Sequence, residues 1–182
     1  MQFPEDPMAS GGLKYHASKI LAHRATLQWV TDNKPQYKVI TLHPSFVFGR
    51  NLTQSSPSDI DGSNGLIYGS LQSEKPFIPL VAVDVRDVAI AHLRALELDM
   101  KNSDIEEFIL SASKVDGWTW ARLSKFVNER YPSVGTKLVN PSDDGPSTDT
   151  RKAERQLRMT WRKMEDTVSS FMDHQVELRS KT

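Results

Sequence analysis

Cysteine is the most informative absence in this sequence. With no cysteine among 182 residues, the chain cannot have a disulfide framework, thiol catalysis or a cysteine-based zinc site. It also lacks an excess of charge of either sign, because 23 lysines and arginines balance 23 aspartates and glutamates. A neutral chain offers no overall electrostatic attraction to nucleic acid or to an anionic membrane surface.

Long apolar runs and histidine clusters are missing as well. No run approaches the roughly 20 apolar residues that a membrane helix needs, and the first residues do not form a signal peptide. The five histidines are scattered, and none has a metal-site spacing such as H-E-x-x-H. We therefore expect no metal and neither nucleic-acid nor membrane partners, in a reducing, cytoplasmic setting.

The chain does have the length and composition of one ordinary globular domain. Its hydrophobic residues amount to 38% and its charged residues to 25%, as in typical domains of this size. The patterns predict helices over residues 13–32, 65–73, 84–98, 118–131, 151–157 and 163–178, and strands over residues 38–43, 80–84 and 107–111. The first helix is expected to be well buried, and the first strand to be buried on both faces.

Tyr15 and Lys19 stand four residues apart on the first predicted helix. This spacing puts both side chains on one face, about 6 Å apart along the axis. A nearby ammonium favours phenolate over phenol and would lower the pKa of the tyrosine toward neutrality. Such a phenol can act as a general acid or base toward a carbonyl or an alcohol. The same spacing also occurs on many helices where the lysine is merely solvated.

The first predicted strand is followed by His43-Pro44-Ser45-Phe46-Val47-Phe48-Gly49-Arg50-Asn51. A proline that closes a strand, then an apolar segment and a glycine, is typical of a chain turning over the carboxyl edge of a sheet. In open α/β sheets that edge binds ligands, although a plain strand exit would have the same pattern. The polar stretch 52–64 is long enough to cover a substrate or to be a flexible loop.

Three further positions have structural interpretations. Asp84 is a good N-cap for the helix that follows it, with Asp87 in the first turn. His92 lies on the apolar face of that helix and is expected to be a packed, hydrogen-bonded core residue. Trp118 and Trp120 lack the basic neighbours of a nucleotide-stacking platform and are expected to pack at a helix entrance.

Four segments in this order resemble the extended short-chain dehydrogenases/reductases of the NAD-dependent epimerase/dehydratase superfamily. They are Tyr15-x-x-Ser18-Lys19, His43-Pro44-Ser45-Phe46-Val47-Phe48-Gly49, Val83-Asp84-Val85-Arg86-Asp87-Val88-Ala89-x-Ala91-His92 and Asp149-Thr150-Arg151-Lys152-Ala153-Glu154-Arg155-Gln156-Leu157. The branch that they resemble most is that of the dihydroflavonol, cinnamoyl-CoA and methylglyoxal reductases.

The resemblance implies an α/β fold, the carboxyl-terminal part of a Rossmann-like doubly wound parallel sheet with a small substrate-binding portion. Residues 1–48 would end the Rossmann-like core, and residues 49–182 would form the substrate-binding portion with returning core elements. The cofactor implied is NADP or NAD, and the substrate is a small-molecule carbonyl. A homodimer, or pairing with a full-length relative, is implied because the helix that carries the tyrosine commonly contributes to a dimer interface in this family.

The resemblance also assigns roles to individual residues. Tyr15 would be the proton donor, and Lys19 would hold the nicotinamide ribose and lower the pKa of Tyr15, so both would also contact the cofactor. The segment Pro44, Ser45, Phe46 and Val47 would fix the nicotinamide ring. Residues of the following region, with Arg50, Asn51 and Ile67 as candidates, would line the substrate pocket.

The sequence departs from the family pattern in ways that bear on activity. It contains no G-x-x-G-x-x-G turn for the dinucleotide pyrophosphate, and no serine or threonine stands at the family's usual distance before the tyrosine. Arg50 replaces the usual proline after the glycine. We therefore expect the carboxyl-terminal half only, with weak cofactor binding and no activity on its own.

Three functions remain open from the sequence. The first is an NAD(P)H-dependent carbonyl reductase, of which this chain is the carboxyl-terminal half. The second is a non-catalytic truncated paralogue that serves as an interaction or dimerisation module. The third is an epimerase or dehydratase of the same superfamily, which would use the same tyrosine as a base.

Overall fold

The computed structural model of the chain describes residues 10–112, 117–145 and 147–181. Helices and strands alternate through most of this part of the chain, as the sequence predicts. The helices are α1 (Gly11–Asn33), α2 (Gly62–Leu71), α3 (Val85–Leu96), α4 (Trp120–Arg130), α5 (Arg151–Gln156) and α6 (Met164–Arg179), and the strands are β1 (Val39–Pro44), β2 (Phe46–Phe48), β3 (Ala82–Asp84) and β4 (Ile105–Leu110).

The contacts divide the chain into two compact units. The first unit consists of residues 1–41 and 99–107, and the second of residues 42–98 and 108–182. The first therefore contains α1 and the beginnings of β1 and β4, and the second contains the other helices with β2 and β3. The boundary at residue 48 between core and substrate-binding portions stays a prediction.

Helix α1 begins and ends with specific caps. The Ser10 hydroxyl accepts a hydrogen bond from the Leu13 backbone N–H at 3.3 Å, which satisfies one of the free donors of the first turn. At the other end Lys34 adopts a left-handed conformation with φ 43°, and Pro35 follows it. A left-handed residue followed by proline is a common helix stop.

The prediction that this helix is well buried is wrong. Of its 23 residues only Val30 is buried. Apolar side chains that point to solvent include Leu13, Ile20, Leu21 and Trp29. The apolar positions are spread around the helix rather than along one stripe, so they do not form the single face that a core would cover.

Two short parallel strands lie at the centre of the second unit. Strands β2 and β3 pair with Phe46 opposite Ala82, Val47 opposite Val83 and Phe48 opposite Asp84. All three residues of β3 are buried. The sequence predicts β3 but not β2, because three residues are too few for a visible strand pattern. Strand β1 pairs with β4 and is only half-buried, so the prediction of burial on both faces is wrong.

Helix α3 begins where the sequence predicts. The Asp84 carboxylate accepts a hydrogen bond from the Arg86 backbone N–H at 2.7 Å, which confirms Asp84 as the N-cap. For His92 the predicted hydrogen bond is confirmed, and the predicted burial is wrong. Its Nδ1 lies 2.8 Å from the Val88 carbonyl oxygen, but the residue is exposed, because it lies outside the helix face that carries buried Ala91 and Ala95.

The core of the second unit forms around aromatic side chains from several elements. Phe171 of α6 packs against Phe48 of β2, with ring centroids 4.8 Å apart, and against Tyr68 of α2 at 5.7 Å. Trp118 also contacts Phe48, and Trp118 and Trp120 are both buried. The two tryptophans are therefore packing residues at the start of α4, as predicted. None of the helices in the described ranges is long and apolar enough to cross a membrane.

We expect Phe171→Ala to lower the free energy of unfolding by about 3–5 kcal/mol, because it leaves a cavity among fully buried rings. The control is Val176→Ala on the same helix, where the side chain is 45% exposed. This control should change stability by less than about 0.5 kcal/mol. Urea unfolding followed by tryptophan fluorescence measures both, and similar losses for the two variants would contradict the core described above.

Candidate active site

Tyr15 and Lys19 lie on one face of α1, as the sequence predicts. The Lys19 ammonium nitrogen is 5.4 Å from the centroid of the Tyr15 ring. The Tyr15 side chain is accessible, since the residue is 59% exposed. The Ser18 hydroxyl donates to the Tyr15 carbonyl oxygen at 2.8 Å, so Ser18 is engaged with the helix backbone. A phenol and an ammonium thus lie beside each other on an exposed part of the first unit.

The segment from Pro44 to Val47 connects the ends of two strands in the second unit. The backbone N–H of Ser45 donates to Leu110 at 2.9 Å, and that of Phe46 donates to Val81 at 3.2 Å. The Ser45 hydroxyl is buried and has no hydrogen-bond partner within the described residues. A buried hydroxyl without a partner is costly, and one that faces a ligand group would regain a hydrogen bond. The role of this segment in fixing a nicotinamide ring stays a prediction.

The chain leaves β2 through a turn that Asn64 holds in place. Its side-chain oxygen accepts from the Gly49 backbone N–H at 3.2 Å, and its side-chain nitrogen donates to the Gly49 carbonyl at 2.8 Å. Gly49 has φ +141°, and a Cβ added there would lie 3.0 Å from a methyl carbon of Val85. Only glycine suits such a conformation beside so close a neighbour.

A cavity of about 660 Å³ opens beside this turn. Its apolar lining includes Val47, Phe48, Leu52 and Val85, and its charged lining consists of Arg50, Asp61 and Arg86. Volumes of this order are typical of small-molecule sites with apolar walls and a few polar groups. The cavity lies wholly within the second unit.

Carboxylates fix both guanidinium groups of the cavity. Arg50 donates to the two carboxylate oxygens of Glu177 at 3.0 and 2.7 Å, and these hydrogen bonds hold the pKa of Glu177 below its usual value. Arg86 donates to Asp84 from Nε at 2.9 Å and from Nη2 at 2.6 Å. Burial would raise the pKa of Asp84, but its hydrogen bonds, chiefly from Arg86, lower it on balance.

The end of α6 is also joined to the loop after β2 by uncharged groups. Gln54 and Gln175 are buried and exchange two hydrogen bonds of 3.0 Å, each side-chain nitrogen donating to the other side-chain oxygen. His174 is buried beside them on the helix. Burial first, and then the charge of Arg50, lowers the pKa of this histidine.

The sequence identified part of this arrangement. Arg50 and Asn51 line the cavity, as does Val47 of the predicted cofactor segment. Ile67 does not line it, because its side chain is fully buried in the core. The sequence does not identify three residues of this site, Asn64, Arg86 and Glu177. The polar residues Asp61-Gly62-Ser63-Asn64 indicate a loop. No sequence signal connects Glu177 to Arg50, which is 127 residues away.

Known proteins resemble this chain in sequence. The ketoreductase sphI of Aspergillus fumigatus is 35% identical over 177 residues, which are 94% of this chain and 52% of that protein. The ketoreductase CTB6 of Cercospora beticola is 30% identical over 167 residues, 90% of this chain and 45% of that protein. The chain thus spans about half the length of the curated relatives it matches. No protein-family model matches it.

Solved structures share its fold. A crystal structure of the yeast methylglyoxal/isovaleraldehyde reductase Gre2 complexed with NADPH superposes with a TM-score of 0.74 and 20% identity, over 100% of this chain and 56% of that one. Vestitone reductase from alfalfa superposes with a TM-score of 0.68 and 21% identity, over 92% and 53%. The α/β fold expected from the motifs, which corresponds to the carboxyl-terminal part of a Rossmann-like fold, is confirmed.

We expect Asn64→Asp to destabilise the second unit by roughly 1–3 kcal/mol, because it replaces the donor to the Gly49 carbonyl with a carboxylate oxygen. The matched control is Asn51→Asp. Asn51 uses only its side-chain oxygen, which accepts from the Thr53 backbone N–H and hydroxyl, so the substitution keeps these bonds. Urea unfolding compares the variants, and equal stabilities would contradict the role of Asn64 in holding the turn.

Proposed function

We propose that this chain, a homologue of the carboxyl-terminal part of extended short-chain dehydrogenases/reductases, functions in carbonyl reduction. It would supply the proton donor and the substrate pocket of a carbonyl reductase. The relatives confirm the family that the four motifs predicted. The observation that carries the proposal is the Tyr15–Lys19 pair on α1, since a phenol beside an ammonium is suited to proton transfer.

In the proposed reaction Tyr15 donates its phenolic proton to the oxygen of a carbonyl substrate, which becomes an alcohol. Lys19 stabilises the resulting phenolate, because a positive charge favours the ionised form. Bound NADPH or NADH would supply the hydride to the carbonyl carbon. Lys19 would hold the nicotinamide ribose. The segment Pro44–Val47, whose Ser45 hydroxyl has no hydrogen-bond partner among the described residues, would contact the nicotinamide ring.

The 182 residues contain no glycine-rich turn that could bind the pyrophosphate of the cofactor. A glycine-rich turn followed by a helix usually provides most of that binding. We therefore propose that the 182 residues by themselves bind NADPH weakly and turn over no substrate. Joining them to the amino-terminal part of the Aspergillus relative that they do not match gives a single chain of that protein's length, in which we expect a glycine-rich turn.

In that fusion, Tyr15→Phe should lower NADPH-dependent reduction of methylglyoxal about a hundredfold or more, because the proton donor is lost. Cofactor affinity should change little, since Lys19 and the Pro44–Val47 segment remain. The control is Tyr37→Phe, another exposed tyrosine of the first unit. NADPH absorbance gives the rate, and a Tyr15→Phe variant with unchanged turnover would refute the assignment.

A second candidate function is an interaction module, and the exposed apolar side chains of α1 favour it. Leu13, Ile20, Leu21 and Trp29 are each at least 40% exposed, and exposed apolar surface of this kind often marks an interface. We propose that α1 pairs with a second copy of the chain or with a full-length relative.

We expect the purified chain to sediment as a dimer, and Leu21→Glu to shift it toward monomer, because a charge would be buried in the interface. Leu96→Glu is the control, since Leu96 of α3 is the more exposed leucine, at 84%. Sedimentation velocity at several concentrations measures the change. A monomeric wild type, or equal effects of the two substitutions, would exclude α1 as the interface.

A further inference from the structure

Two arginines line the cavity of the second unit, and their N–H groups can bind a part of a ligand other than its reacting carbonyl. The charged lining residues of the cavity are Arg50, Arg86 and Asp61, and each guanidinium is paired with a carboxylate, Arg50 with Glu177 and Arg86 with Asp84. The remaining lining is mainly apolar, with Val47, Phe48 and Val85 among its residues. A ligand that fits such a lining has an apolar body and a group that accepts hydrogen bonds from the N–H donors that these pairs leave unused.

Arg50 is the better placed of the two because it is fixed at both ends. Its backbone follows Gly49, whose N–H and carbonyl are both bonded to Asn64. Its guanidinium is bonded to both oxygens of Glu177. A side chain held in this way loses little conformational entropy when it binds a ligand.

The Glu177 pair does not use all the hydrogen-bonding capacity of Arg50. A guanidinium has five N–H donors in a planar fork, and Glu177 accepts two of them. Both side chains of the pair are more than two-fifths exposed, so the pair is open to solvent. An incoming carboxylate can therefore bind the remaining donors of the fork while Glu177 keeps its two hydrogen bonds.

Arg86 can reinforce the same preference. It is bonded to Asp84 through Nε and Nη2, and its Nη1 makes no hydrogen bond within the described residues. Carboxylates suit these forks because their two oxygens match two parallel N–H groups. A neutral ketone oxygen accepts more weakly, since charge-assisted hydrogen bonds are about twice as strong as neutral ones.

We propose that the cavity selects oxo acids, which are carbonyl compounds with an apolar body and a carboxylate, and that Arg50 is the residue that binds the carboxylate. The inference rests on the proposed function for the reacting carbonyl. The carboxylate preference itself concerns binding alone, so it can be measured without cofactor or turnover. Failure of the Tyr15 assignment would leave this measurement unaffected.

The test compares an acetylnaphthoate with acetylnaphthalene, which differ only in the carboxylate, by isothermal titration of the 182-residue chain. The acid should bind about tenfold more tightly, as expected for one charge-assisted contact. Arg50→Met should remove that preference by weakening the acid while leaving the neutral ketone unchanged. Arg50→Lys, which keeps the charge but not the fork, should retain part of it.

Arg151→Met is the matched control, because Arg151 forms an equally short two-point pair with Asp149 and does not line the cavity. It should keep the full preference for the acid. Equal affinities of the wild type for the two compounds, or no measurable binding of the acid, would overturn the proposal. So would an Arg50→Met variant that loses both compounds equally.

One further arm separates a substrate carboxylate from a cofactor phosphate. Inorganic pyrophosphate is titrated into the wild type and into Arg50→Met. The proposal expects pyrophosphate to bind more weakly than the acetylnaphthoate. Tighter binding of pyrophosphate that depends on Arg50 would assign the guanidinium to phosphate and overturn the oxo-acid assignment.

Discussion

The parallel register of β2 and β3 is the constraint on which the cavity depends. Because Phe48 pairs with Asp84, the two strands end side by side, and the next residues, Gly49 and Val85, must meet. A Cβ at position 49 would crowd a Val85 methyl carbon at 3.0 Å, and the φ of +141° is one that side chains rarely adopt. The Asp84 carboxylate at the same edge caps α3 and binds Arg86. One register therefore positions the turn, the helix start and one of the two guanidinium groups.

The second unit adds the other elements around that edge. Helix α6 supplies Phe171 to the core and Glu177 to Arg50, so one helix serves both packing and the charge of the cavity. Asn64, the third residue of α2, accepts from the Gly49 backbone N–H and donates to the Gly49 carbonyl, as the backbone of a neighbouring strand would. A loop that would otherwise be free is thus tied at its base to a helix.

Local features of the sequence predicted local features of the structure. Asp84 was recognisable as an N-cap because its oxygen needs only the next few backbone N–H groups. Trp118 and Trp120 were recognisable as packing residues because their neighbours carry little charge. The Tyr15–Lys19 pair followed from helix geometry alone, since four residues make about one turn.

Contacts between distant residues were beyond such reasoning. The pairing of Arg50 with Glu177 depends on how α6 lies across the second unit, and nothing near either residue encodes it. The exposure of α1 was missed for a related reason, because apolar residues on a helix indicate burial only when the fold provides something to cover them. His92 shows the same limit, since its hydrogen bond to Val88 is local while its exposure depends on the surrounding fold.

Helix α6 is linked to the loop after β2 by one charged pair and one uncharged pair, and ionic strength affects only the charged pair. The exposed Arg50–Glu177 pair is weakened by salt, whose screening length falls to about 3 Å at molar concentration. The buried Gln54–Gln175 pair has no charge to screen, and neither have the bonds between Asn64 and Gly49. Rising salt therefore weakens the contact between the Arg50 side chain and α6, while the backbone of the loop stays anchored at Gly49 and at Gln54.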